Sequence, residues 1–171
     1  MANLHVIKGA NVYLEGESRL GQASQFVLPN VTQAMTEFKG LGMIGVISLP
    51  LGLDKIEATL KWAGPYYDAK ALLADPHTVR TLMLRGSIDV YDATGRIDER
   101  PVLAEVRAMG AEEQGGTYSM GENSDYESKL NVLYYELKME GKPLVKVDLV
   151  NIIYEVAGKD QLGGYKANLG I

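Results

Sequence analysis

Apolar and polar residues alternate with a period of two along much of the chain, which is the pattern of a strand with one face buried. Leu82, Leu84, Ile88 and Val90 fall on one side of such a segment, with Thr81, Arg85, Ser87 and Asp89 on the other. The turn residues Asp92-Ala93-Thr94-Gly95 follow, after which Val102, Ala104, Val106 and Ala108 alternate with Leu103, Glu105, Arg107 and Met109. These two runs predict a long hairpin. A third strand is expected over residues 126–140, where Leu133, Tyr135, Leu137 and Met139 share one face and Tyr134, Glu136 and Lys138 the other. Glu140-Gly141-Lys142 turns it into a fourth over residues 144–150, with Val145, Val147 and Leu149 set against Lys146 and Asp148. Successive strands joined by tight turns imply an antiparallel, meandering sheet.

Weaker strand signals lie at residues 11–14, 31–38 and 56–62, the first closed by Glu15-Gly16. One short helix is expected. Pro65 stands in its first turn behind Gly64, Tyr66, Ala69, Lys70 and Leu73 recur at helical spacing, and the residue before Pro76 ends it. No internal repeat, low-complexity tract or linker interrupts the chain. The expectation is a mainly β chain folded as one domain over residues 1–171, an antiparallel β-barrel or sandwich with one short helix.

Composition narrows the function. Of 171 residues, 46% are hydrophobic and 23% charged, enough apolar surface for a core and too much for a disordered chain. Met1-Ala2-Asn3-Leu4-His5 carries no basic stretch leading into an apolar one, and nowhere do about 18 apolar residues follow one another, so neither a leader nor a membrane anchor is expected. The absence of cysteine rules out disulfides, thiolate ligands and cysteine nucleophiles, and suits synthesis in a reducing cytoplasm. His5 and His77 lack any ligand spacing, so no metal or other cofactor is expected. A net charge of −5 with no basic cluster argues against a tight grip on nucleic acid.

Several constellations have a chemical reading and a plainer one. Gly40-Leu41-Gly42-Met43-Ile44-Gly45 spells GxGxxG, but Val46-Ile47-Ser48-Leu49-Pro50 behind it is β-prone and then broken by proline, so no helix starts there to receive a pyrophosphate. The plainer reading is a glycine-rich loop over residues 39–52 whose Leu41, Met43, Ile44 and Val46 are too apolar for solvent and call for a partner surface. Asp98/Glu99 and Asp89/Asp92 would have to converge to serve a carboxylate-based hydrolase, yet adjacent strand residues point to opposite faces and Asp92 sits in a turn. No GxSxG elbow is present. Trp62 and the ten tyrosines suit core or interface anchors better than a ligand platform. The residues alone thus describe a β domain made for interaction, with a small-molecule-binding β-barrel as the alternative and a hydrolase as the enzymatic rival.

Three segments carry a family resemblance. The first is Phe26-Val27-Leu28-Pro29-Asn30-Val31-Thr32 with Glu37-Phe38-Lys39-Gly40-Leu41-Gly42-Met43 and Leu51-Gly52-Leu53-Asp54. The second is Gly121-Glu122, Glu127-Ser128-Lys129 and Tyr134-Tyr135-Glu136-Leu137-Lys138-Met139-Glu140-Gly141-Lys142. The third is Val147-Asp148, Asn151, Gly158-Lys159-Asp160-Gln161-Leu162 and Asn168-Leu169-Gly170-Ile171. Together they resemble the major tail tube proteins of contractile-tailed bacteriophages and R-type bacteriocins. Residues 66–113 match in pattern more than in wording, and Leu49-Pro50 departs from the more polar loop such proteins would have.

The resemblance implies a tail-tube-like fold and a non-enzymatic structural subunit. Six copies would close a ring, each lending strands to a continuous inner barrel, and rings would stack into a tube within a contractile sheath. Its partners would be the sheath protein, the baseplate or tail initiator, and the terminator, with DNA only in transit if the particle is a phage. Its place would be the virion or phage-tail-like particle, assembled in the host bacterial cytoplasm. Strands of about 10–15 residues reach roughly 35–50 Å, a length suited to a tube wall, and an acidic or neutral lumen would let phosphates slide. The resemblance makes Gly40, Leu41, Gly42, Met43, Ile44, Gly45, Val46 and Pro50 a subunit-bridging loop. At the other end Leu162, Tyr165, Leu169 and Ile171 are too apolar for a free tail and are expected to dock on this subunit or a neighbour.

Overall fold

A computed structural model of the chain describes residues 3–123 and 126–170. Strands run over Leu4–Leu14 (β1), Glu17–Ser18 (β2), Ala23–Val27 (β3), Gln33–Phe38 (β4), Ile47–Leu53 (β5) and Glu57–Trp62 (β6). A helix at Tyr67–Leu73 (α1) then precedes the long strands Arg80–Asp92 (β7), Gly95–Glu113 (β8) and Tyr126–Met139 (β9). The chain finishes with Lys142–Asp148 (β10), Ile153–Val156 (β11), Lys159–Asp160 (β12) and a second helix, Gly163–Leu169 (α2).

The main sheet is antiparallel in the order β12-β11-β10-β9-β8-β7-β1-β2. One edge of β9 takes β8, and its other edge is divided. Residues 126–131 pair with β6, which in turn holds β3, while residues 134–139 pair with β10. At the junction Val132 N–H donates to Ile56 O at 2.9 Å and Leu149 N–H donates to Leu133 O at 3.0 Å. The sheet curls until its β1–β2 end meets the β3–β6 branch through residues 19–23, where Arg19 N–H donates to Val12 O at 2.8 Å and Ala63 N–H donates to Gln22 O at 2.8 Å.

Inside this curl the alternating residues close one core: Ala58, Leu60 and Trp62 from β6, Ala104, Val106 and Ala108 from β8, Leu82 from β7, and Tyr126, Leu130 and Val132 from β9. Small residues on β8 leave room for the large ones opposite. Trp62 stacks on Tyr126 with ring centres 6.1 Å apart, and its Nε1–H donates to Ser128 Oγ at 3.0 Å, so the core's largest side chain brings its own buried donor a partner. Ala69 and Leu73 of α1 join the same cluster. There β8 lies so close to the helix end that a Cβ on Gly110 would come within 2.1 Å of Leu73 O.

The strand expectations need three corrections. In β9 the expected inward set Leu133, Tyr135, Leu137 and Met139 changes phase. Tyr126, Ser128, Leu130 and Val132 are buried, and burial then resumes at Tyr135, because the pairing with β8 skips from Val132 to Tyr134. Leu133 is the extra residue of a β-bulge. Residues 39–52 are not a loop throughout: Ile47–Leu53 is a strand paired with β4 in a separate two-stranded sheet. Pro50 fits because a two-stranded ribbon has an open outer edge where no ladder donor is needed, and a bulge at Leu51 absorbs the register. Finally, the expectation of a single helix missed α2, which opens on Gly163-Gly164 and ends on Gly170 in the left-handed region, φ 74°.

Candidate assembly surface

Strands β4 and β5 form an arm that stands away from the curled sheet. Their register pairs Thr36 with Leu49 and Phe38 with Ile47 on one face, and Met35 with Pro50 and Glu37 with Ser48 on the other. The arm therefore repeats the half-buried pattern of a core strand, but Phe38, Ile47 and Leu49 are all exposed. Its tip is tied shut by two contacts: Met43 N–H donates to Gly40 O at 3.2 Å, and Gly40 N–H donates to Met43 Sδ at 3.0 Å. Gly42 takes φ 83°, which favours glycine. Drawing Met43 inward leaves Leu41 and Ile44 fully in water, at 108% and 109% of reference exposure. Gly45, Val46 and Pro50 are likewise exposed on the arm, and Gly40 is half-buried under Met43. The GxGxxG run is thus a hairpin tip between two strands.

At the root of the arm a cleft of about 320 Å³ lies outside the core, between β5, the end of β10, β11 and α2. Leu51, Leu53, Leu149, Ile153, Tyr154, Leu162 and Tyr165 line it, with Asp148 and Gln33 among the polar groups. Gln33 Nε2–H donates to Tyr154 Oη at 3.3 Å, tying the arm to β11. Asp160 sets the start of α2, accepting from Leu162 N–H at 2.8 Å and lying 2.9 Å from Lys166 Nζ. Burial pushes the Asp148 carboxyl up, but hydrogen bonds from the Asn151 side chain and from the Asn151 and Val150 N–H groups together hold it below the usual carboxylate range.

Two segments singled out from sequence thus meet: Leu162 and Tyr165 share the cleft with the root of the arm. Leu169 lies exposed on α2, away from the cleft, and Ile171 lies outside the described residues. Leu149 was expected to face inward within a strand over residues 144–150, but β10 ends at Asp148 and Leu149 is left exposed at the cleft; Ile153 and Tyr154 were not anticipated.

The carboxylates offer no acid–base machinery. Asp98 is held below its usual range by hydrogen bonds from Arg100 and Glu99 N–H, Glu99 by Ser87 Oγ and then Arg96, and Asp92 by Thr94. Asp89 is buried with Arg96 Nε 3.0 Å from its Oδ1 and Lys8 at 4.0 Å from its Oδ2. Among the described residues no three histidine, aspartate or glutamate side chains gather as metal ligands. Trp62 and Tyr126 are core residues, not a ligand platform.

A curled antiparallel subunit whose barrel is filled by its own side chains, and whose open chemistry is an apolar arm and an apolar cleft, is a structural building block. The family model described as phage tail tube protein FII matches residues 4–170, and the chain belongs to that family. It is 32% identical to the tail tube protein of Escherichia phage P2 over the full length of both chains. It is 26% identical to the major tail tube protein of Serratia phage KSP20, covering 87% of this chain and 85% of that one. These relatives are structural proteins of the virion tail, not enzymes. The fold also matches a chain of the extended-state sheath–tube complex of an extracellular contractile injection system, PVC, with a TM-score of 0.52 at 11% identity, over 75% of this chain and 87% of the other. A chain from the extended sheath/tube terminator of the same system gives 0.52 at 10% identity, over 77% and 94%.

Proposed function

We propose that the chain, acting as one tube domain, is the inner-tube subunit of a contractile injection particle, with six copies closing a ring and rings stacking into a hollow conduit. The observation that carries this is the arm: a chain of the tail tube family leaves Phe38, Leu41, Ile44, Ile47 and Leu49 bare in water. At about 1.5–3 kcal/mol for each side chain buried, that surface rewards covering by another copy. An open strand edge supports the same reading. β1 pairs with β7 over most of its length but with β2 only at Tyr13 and Leu14, so residues 4–11 offer an edge to a neighbouring sheet. Six copies per ring is what the resemblance to the family implies.

The sheath–tube and terminator assemblies that share the fold support a sheath protein and a terminator as partners, and the family resemblance adds the baseplate or initiator. DNA would be a passenger only, since a net charge of −5 repels phosphate. The test is sedimentation and negative-stain microscopy of the purified protein over a concentration series. Hollow filaments with sixfold end views are expected. A monomeric mass throughout, with no polymer even when tail initiation components are supplied, refutes the proposal.

A further inference from the structure

The molecule carries an apolar projection and an apolar recess that cannot meet each other within one copy. Leu51 and Leu53 at the root of the arm line the recess, while Leu41 and Ile44 occupy the tip. Four paired positions, Met35 to Phe38, separate the cleft-lining root from the tip, which at about 3.3 Å each holds the tip roughly 13 Å or more from the cleft its own arm helps to build. We propose that the tip of one copy, led by Ile44 and Leu41, seats in the root cleft of the next copy. This rests on the reading of the chain as a polymerising tube subunit and names the two surfaces that join.

Size and charge both fit. A recess of about 320 Å³ stands at the lower end of the roughly 300–1,000 Å³ typical of small-ligand pockets, room for one or two aliphatic side chains and little more. Residues 39–46 of the tip carry one charge, the cation of Lys39, with Glu37 two positions back on β4. Among the described residues Asp148 is the sole charged one lining the cleft, and its bonds to Asn151 and Val150 keep it anionic at neutral pH. A cation beside an apolar tip thus faces an anion beside an apolar recess. Because tip and recess are different surfaces, the contact is heterologous and leaves a free tip and a free recess after every addition, the condition for continued growth.

The chain contains no cysteine, which provides a clean background for directed cross-linking. A chain bearing Ile44→Cys is mixed with a size-tagged chain bearing Leu149→Cys, assembled, and oxidised. Both positions are exposed, so neither substitution threatens the fold. Disulfides need Cα atoms about 4.4–6.8 Å apart, so a bond reports seating and not mere proximity. Parallel mixtures replace the donor with Leu4→Cys or Leu169→Cys, the other exposed apolar positions at the ends of the chain. The expected result is a mixed dimer of tagged and untagged chains from the Ile44→Cys mixture alone, formed in tubes and absent from dilute subunits. Tubes without that dimer, or with a dimer from Leu4→Cys or Leu169→Cys instead, overturn the docking while leaving tube formation intact. Failure of the cysteine-free protein to form tubes overturns the polymerisation reading itself, and the docking with it.

Discussion

Replacing both Leu41 and Ile44 with aspartate separates folding from assembly. Each side chain is fully exposed in the subunit, at 108% and 109% of reference, so the isolated fold has nothing to lose. In a tube that covers the tip, two aliphatic side chains forfeit about 1.5–3 kcal/mol each, or roughly 3–6 kcal/mol per arm. Forcing two carboxylates into a contact that excludes water adds a further penalty unless the site opens. Even about 4 kcal/mol corresponds to roughly a thousandfold in the affinity of one contact, and the same loss recurs at every copy added. Met43 is the wrong residue for this test, because its Sδ accepts from Gly40 N–H at 3.0 Å and its replacement would reshape the tip as well as recharge it. Circular dichroism and thermal unfolding of the dilute variant should match the parent. Pelleting and microscopy should show no tubes where the parent assembles fully. Unchanged tubes would refute the role of the tip, and an unfolded variant would show that the arm belongs to the core.

Gly110→Ala should lower the melting temperature, since its Cβ would lie 2.1 Å from the main-chain Leu73 O, where no rotamer brings relief; a cost of about 1–3 kcal/mol is expected, each kcal/mol moving the midpoint by roughly 2–4 °C. Ser128→Ala leaves the buried Trp62 Nε1–H without its acceptor and should cost about 1–3 kcal/mol in a urea titration. Burial pushes the Glu113 carboxyl up, opposed by Ser128 and Lys70, so the folded state holds the proton more tightly than the unfolded chain. Stability should therefore fall as pH rises from about 4.5 through the raised folded value, and Glu113→Gln should be more stable than the parent at neutral pH with the gap closing below about pH 4.5. Removing residues 168–171 should leave thermal unfolding unchanged, because α2 buries no residue in the subunit, but should impair tube growth; normal tubes from the truncated chain would rule out docking by that segment.

The long hairpin was legible from the stretch where the rule of alternation holds: Leu82 on β7 and Ala104, Val106 and Ala108 on β8 turn into the core, and Ile88 and Val90 are buried in the phase of Leu82. Asp89 shows where that rule stops. Its burial depends on Arg96, which the turn between β7 and β8 brings back across the ladder, and alternation says nothing of what covers a polar face. The bulge at Leu133 was hidden because Val132, Leu133, Tyr134 and Tyr135 are all apolar or aromatic, so either phase reads equally well. Helix α2 escaped although Leu162, Tyr165 and Leu169 recur at helical spacing, because it is only seven residues long and two glycines open it. The residues that unite at the cleft come from β5, β10, β11 and the carboxy-terminal helix, over a hundred positions apart, and no local pattern encodes such a meeting.

The arm was legible as a misfit, for a physical reason. Toward the tip, Phe38, Ile47 and Leu49 on one face against Glu37 and Ser48 on the other follow the same period-two code that builds the core, while nearer the root Met35 and Pro50 make the second face apolar too. In β8 and β9 that code is answered within the chain, since each inward face meets another. In the arm it is answered by nothing, and Leu41 and Ile44 extend the apolar surface beyond the last paired residue. A chain selected only to fold alone would lose little by making these positions polar, and would lower its risk of aggregation. Their apolar character suits a second layer from outside the chain, and the proposed polymer of identical subunits would supply that layer at the same concentration as the surface it covers.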